Sequence, residues 1–409
     1  MTKSDNKRKN PKILIVNKNT YEVKLILHGQ GVIVFDADDF CVLTFCNNQN
    51  QSLLRASFTE NSVIVNMEVN NEPLIDTNNR TGIMKNVSGI YYWFSIDSQN
   101  QRLYAGIGEV RLENIIYQYQ FPQENREKVK LFLESLKFVN TYRIQIRYLL
   151  RDPVTKEIPL LVKNTDDLTM DNIALSKYMP KSNLSTISQK LYDCISGKKF
   201  ILNTPDFPDF SDAIEYSINT PGMWCYECLQ NKATEFDKKN PNYEETYLRI
   251  TLGENNGESP GIPYVMEIWP IGHYSPIHNH GGSSAIIRVL NGSINVSLFP
   301  FLTSSKMEPF VNVNLKKDDI TWISPTLNQV HQLKNLETSI NTCITIQCYM
   351  YEEEDYLHYD YFDYLDTNSK KHKYEPNSDM DFIDFKNLMR EEWSKKNNET
   401  NICTYTCFF

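Results

Sequence analysis

Histidine is scarce in this chain, with seven imidazoles among 409 residues. Long apolar runs are missing as well: no stretch of about 18 such residues exists to cross a bilayer as a helix. Basic charge is not in excess, since 42 Lys and Arg stand against 51 Asp and Glu, a formal net charge of −9. That balance argues against a nucleic-acid partner, because phosphate contact needs a basic surface. No glycine-rich phosphate loop, Walker sequence or Ser-His-Asp order occurs, and no internal repeat. The basic start, "KSDNKRKNPK", lacks the apolar centre of a secretory signal, so residues 1–11 read as a disordered tail and the expected location is cytoplasmic. The nine cysteines are odd in number and scattered, which suits reduced thiols better than a disulfide framework.

What is present points to β structure. The chain is too long for one core and suggests two domains. Over 12–150, short β-branched and aromatic runs such as "GVIVFD", "CVLTFC" and "YYWFSID" alternate with Asn, Gly and Asp clusters, the pattern of a β-sandwich. Within that range Val129, Phe132, Leu133, Leu136 and Val139 recur at helical spacing and predict one amphipathic helix. Residues 151–183, rich in Asp, Lys, Asn and Pro, read as a linker. A second domain over 184–409 opens with helical segments ("TISQKLYDCISG", "FSDAIEYSI", "PGMWCYECLQNKATEF") and continues as strands from about Tyr247 to Tyr351. The acidic, tyrosine-rich "YEEEDYLHYDYFDYLD" reads as a solvated loop. The sequence indicates no partner for the N-terminal domain.

The informative histidines lie in "PIGHYSPIHNHGGSSAIIRVL". His278 and His280 are two apart in a strand-like stretch, and residues at i and i+2 of a strand share a face. His331, in "NQVHQLKN", lies well downstream in another strand-like segment. A single inward histidine is commonly a satisfied core residue. A pair on one face plus a third on a facing strand instead suits a metal ion. Cys225 and Cys228 ("WCYEC") form a Cys-x-x-Cys pair in a helical pattern with no second such pair, which disfavours zinc or redox work. Cys343 and Cys348 read as packing residues.

The segment resembles the first cupin motif, and specifically that of cysteine dioxygenases, over roughly residues 185–355. Cupins in general carry a glutamate ligand after the histidine pair; here Gly281 to Ala285 offer no carboxylate, and cysteine dioxygenases also lack it. Trp269, Gly272, His273, Ser275 and Ile277 precede the pair at the family's spacing. The resemblance implies a mainly β fold: a C-terminal cupin, a small β-barrel or jelly roll with a short helical prelude, beside the N-terminal sandwich. It implies Fe(2+) held by His278, His280 and His331, with free cysteine and O2 converted to cysteine sulfinic acid. Arg249 in "YLRITL" matches the arginine that grips the substrate carboxylate, a task suited to its planar fork, with Tyr247 assisting and Trp269 beside the substrate. Tyr349 matches the active-site tyrosine, expected to donate a hydrogen bond at the reacting oxygen. His273 is a further candidate near the site.

The chain departs from that pattern in four places. Ala285 stands where animal cysteine dioxygenases carry a cysteine cross-linked to the tyrosine, so no thioether forms. Gln347 replaces a histidine, Thr345 replaces its serine partner, and Met350 follows the tyrosine in place of proline. Two alternatives therefore stay open: a dioxygenase for another small thiol acid, and a non-catalytic cupin fused to a binding or structural sandwich.

Overall fold

The computed structural model describes residues 12–67, 73–75, 90–155, 157–253, 263–303, 308–351 and 361–406. The expected basic tail and residues 352–360 of the tyrosine-rich stretch lie outside them. The chain divides into two compact units, 1–157 and 158–409, and its described residues are mainly β.

The first unit holds two six-stranded antiparallel sheets. One runs Ile13–Ile15, Gln145–Leu150, Gln30–Asp36, Tyr92–Asp97, Arg102–Ile107, Ile115–Gln120. The other runs Glu22–Lys24, Phe138–Tyr142, Cys41–Cys46, Ser52–Phe58, Val63–Met67, Pro73–Leu74. Phe35 meets Phe58 edge-on at 5.1 Å and Phe45 meets Phe94 at 5.4 Å, contacts that cross from sheet to sheet and close a sandwich core. "YYWFSID" supplies core, since every residue from Tyr92 to Asp97 is buried. The amphipathic helix is shorter than its pattern: it spans Arg126–Glu134 and buries Val129 and Leu133. Val139 belongs to the next strand, where pairing with Phe45 takes over from helical packing.

The second unit has an eight-stranded sheet in the order Tyr178–Pro180, Leu161–Lys163, Ile320–Ile323, Ser284–Asn291, Cys343–Met350, Tyr264–Trp269, Leu248–Thr251, Met380–Asp381. A six-stranded sheet runs Val311–Lys316, Ser293–Leu298, His331–Lys334, Ile277–His278, Phe362–Leu365, Lys371–Tyr374. The two share an apolar core, Trp269, Val289 and Cys343 from one packing with Val296, Leu298 and Leu333 from the other. By their hydrogen bonds the described strands form two open sheets and no closed barrel.

Two expectations change. The segment read as a linker supplies two strands of the larger sheet, each only three residues long. Such strands are too short to show alternation; they are held from outside, by Thr321 Oγ1 donating to Leu160 O at 3.0 Å and Trp322 Nε1 to Pro159 O at 3.1 Å. The described end of the tyrosine-rich stretch is strand rather than solvated loop, with Phe362, Tyr364 and Leu365 buried. A long helix, Phe382–Thr406, follows it and packs Phe385 and Met389 against the helical prelude.

The outer face of the larger sheet positions the site. Leu248 and Ile250, Met266 and Ile268, and Ile344, Ile346 and Cys348 all turn toward Leu191, Phe210, Leu229 and Phe385 of the helices. Because strand side chains alternate, the intervening Arg249, Glu267, Thr345, Gln347 and Tyr349 are turned to the other face, between the sheets.

Candidate metal centre

His278 pairs in register with His331 on one side and Tyr364 on the other. The strand carrying His278 is only two residues, Ile277–His278, so His280 lies just past its end rather than on one strand face with His278 as its spacing suggested. Gly281 and Gly282 follow at φ +59° and +82°, a left-handed turn that feeds the strand beginning at Ser284 and leaves the His280 ring pointing inward. The three rings form a near-equilateral triangle, with centroids 4.9, 4.7 and 4.8 Å apart. One potential ligand atom from each lies within 4.8 Å of the others.

Backbone carbonyls fix two of the tautomers. His278 Nδ1 lies 3.0 Å from Pro276 O and His331 Nδ1 lies 3.1 Å from Asn328 O. A carbonyl only accepts, so both Nδ1 atoms carry the proton and both Nε2 lone pairs are bare. His280 Nε2 sits 3.2 Å from His331 Nε2, while its buried Nδ1 has no partner. Two nitrogens bonded at about 2.1 Å to one ion adopt a spacing of this order, so the triad fits a cation. Burial, reinforced by neighbouring positive charge, holds His278 down at about 4, His331 at about 3 and His280 well below its ordinary value. At neutral pH all three are uncharged, the form that binds metal.

The triad opens on a small cavity also lined by Tyr247, Arg249, Glu267, Trp269, Gln347 and Tyr349. Tyr247, Arg249, Trp269 and Tyr349 meet the three histidines there. Tyr247 stacks on Trp269 at 4.2 Å, and Trp269 Nε1 donates to Thr345 Oγ1 at 3.3 Å. Tyr349 stacks on His280 at 5.3 Å and stands directly opposite Ala285, so a cysteine at 285 would be its cross-strand neighbour. The tyrosine hydroxyl donates to Gln347 Oε1, and Gln347 Nε2 donates to Glu267 Oε2 and, at 3.4 Å, to Thr345 Oγ1. Glutamine thus keeps a relay to the tyrosine, and Glu267 extends it. His273 does not line the cavity; its Nδ1 lies 3.0 Å from Thr246 O and its ring packs on Tyr243 at 4.8 Å. Cys225 and Cys228 sit on the helix Trp224–Lys232 away from the triad, and burial raises both thiols, the latter to about 12.

Sequence reasoning missed Glu267, Phe362, Tyr364 and Tyr374. Glu267 had a signal: a lone acid inside the apolar strand "YVMEIW", on the same face as Trp269. Asp379 was missed as well. It accepts from the Arg249 backbone N–H at 2.7 Å, and its own N–H donates to Arg249 O at 2.8 Å, which clamps the arginine strand.

No family model and no curated protein matches the chain. Solved structures similar to part of it include the cupin domain of Schizosaccharomyces pombe Cnp3, at 14% identity over 26% of this chain and 65% of that one, TM-score 0.21. A putative sugar phosphate isomerase from Acidithiobacillus ferrooxidans matches at 14% identity over 33% and 79%, TM-score 0.23. A cupin 2 domain-containing protein from Halorhodospira halophila matches at 20% identity over 31% and 74%, TM-score 0.21.

Proposed function

We propose that the second unit is a cupin-type thiol dioxygenase, with Fe(2+) held by His278, His280 and His331 and free cysteine as substrate. The observation that carries this reading is the convergence of three neutral imidazoles on one buried point, beside a guanidinium and a phenol on the same cavity wall. His278, His280 and His331 would hold the ion as three uncharged ligands, and its undiminished charge would favour thiolate over thiol at the site. The overall conversion is RSH + O2 to RSO2H, both oxygen atoms ending on sulfur.

The chain's own residues supply position. Arg249 is buried and charged; burial opposes the charge, and the Glu267 carboxylate beside it favours it. Its Nε has no hydrogen-bond partner among the described residues, a donor left for a ligand carboxylate. The Tyr247–Trp269 stack forms an apolar wall, and Phe362, 4.7 Å from the His280 ring, keeps water from the triad. Gln347 holds the Tyr349 hydroxyl in a fixed direction. The free cysteines accord with a reducing cytoplasm.

The test is metal analysis of the purified full chain, followed by oxygen uptake with cysteine and mass detection of cysteine sulfinate. About one iron per chain with sulfinate formed is the expected result. A chain that takes up no metal favours the non-catalytic alternative and ends this reading.

A further inference from the structure

If a thiol binds at the triad with its carboxylate on Arg249, as proposed above, then Glu267 stands where that carboxylate must go. Glu267 is the direct cross-strand neighbour of Arg249, and its Oε1 lies 3.8 Å from Arg249 Nε. That distance allows charge pairing but no hydrogen bond, which is why Nε has no partner. Both residues are 5% exposed, so neither charge is relieved by bulk water. The groups that face Glu267 are Arg249 and Tyr247 from one strand, Gln347 and Tyr349 from the other, Lys232 from the helix and Asp379 from the clamp, with Tyr364, Tyr374 and the three histidines across the cavity.

We propose that Glu267 is a specificity-determining residue, a resident carboxylate that an incoming ligand carboxylate must displace from Arg249. Two carboxylates sharing one buried guanidinium do not both stay ionised. The ligand takes the two-pronged pairing, and Glu267 takes a proton from solvent. Burial favours that outcome, having already raised the Glu267 carboxyl to about 7. A thiol without a carboxylate leaves the Arg249–Glu267 pair intact and needs no such proton. The site therefore discriminates against simple thiol acids as pH rises, and thiols lacking an acid group escape that penalty.

The test uses the full chain loaded with cobalt(II), without oxygen, reading the thiolate-to-cobalt absorption band with 3-mercaptopropionate and 2-mercaptoethanol. In the wild type the affinity ratio of the acid to the alcohol should fall as pH rises from about 6 to about 8, by up to roughly tenfold per unit. In Glu267→Gln, which keeps the shape and still accepts from Gln347, the ratio at the upper pH should rise about tenfold and lose its pH dependence. A ratio unchanged by Glu267→Gln, or shifted toward the alcohol, overturns the inference. Calorimetry of the wild type in two buffers of different ionisation enthalpy reads the same step without a variant. The acid should take up about one proton more than the alcohol, and equal counts overturn the proposal. A cobalt-loaded wild type that binds neither thiol ends the proposed function and this inference together; binding of both with an unresponsive ratio ends this inference alone.

Discussion

The two units place opposite chemistry between their sheets. In the first, Phe35, Phe45, Phe58, Tyr92 and Phe94 contact one another, and the interior is a source of stability. In the second, strands of the larger sheet send their apolar alternates outward to a layer of helices and keep Arg249, Glu267, Gln347 and Tyr349 on the inner side, where the three histidines also lie. Buried polar groups are costly unless paired, and a buried ion pair seldom repays its desolvation. The helical layer is what allows this inversion. It supplies the apolar contact that the inner face gives up around the triad, so one sheet can be apolar core on one side and carry a polar cluster on the other.

The largest effect should separate the units by function. His278→Ala should lower bound metal from about one per chain to below about a tenth and thiol oxidation by roughly a thousandfold or more, with the first unit's unfolding transition unmoved. Metal content by mass spectrometry, with urea unfolding alongside, checks it. Phe58→Ala is the mirror experiment. It should cost the first unit about 3–5 kcal/mol and leave metal content at wild-type level, read from the same two measurements. Acid should then distinguish the interiors. The folded second unit holds its histidines below their unfolded value of 6.5, so the unfolded chain binds protons that the folded one refuses. The histidines' contribution to the stability of the metal-free chain is therefore full above that value and declines as pH falls toward about 4 and 3, the His278 shift alone corresponding to about 3 kcal/mol; the raised carboxyl of Glu267 offsets part of that decline. The second unit's urea midpoint should drop from neutral pH to pH about 5 while the first unit's moves less. The smallest effect is expected from replacing both Arg249 and Glu267 with Met and Leu. Exchanging the whole buried pair for apolar residues should leave the second unit within about 1 kcal/mol of wild type, or above it, while carboxylate-thiol binding is lost. A strong loss of stability there would show that the pair holds the inner face together.

Much of this contrast was legible from alternation. The sandwich strands and the helical prelude announce themselves by period, and the histidines by their rarity and spacing. What stayed hidden has physical reasons. The strands Leu161–Lys163 and Tyr178–Pro180 are too short to carry a period and exist because the larger sheet offers them an edge. Phe362 and Tyr364 alternate inward, yet the acidic company of "YEEEDYLHYDYFDYLD" outweighed that signal. The helix from Phe382 had its pattern in plain view, with Phe385 and Met389 four apart and buried, but lay beyond the strands that drew attention. The convergence of Arg249, Glu267 and Gln347 depended on register, which no single strand encodes.

The hairpin formed by Phe362–Leu365 and Lys371–Tyr374 sets Phe362, Tyr364 and Tyr374 in the wall of the small cavity at the triad. If the proposed function holds, a three-carbon thiol would have to fit against that aromatic wall, and a tripeptide or a cysteine within a protein would find less room still. Size would then be screened ahead of charge. In a cell crowded with bulky thiols, such a threshold would spare the site from its commonest competitors.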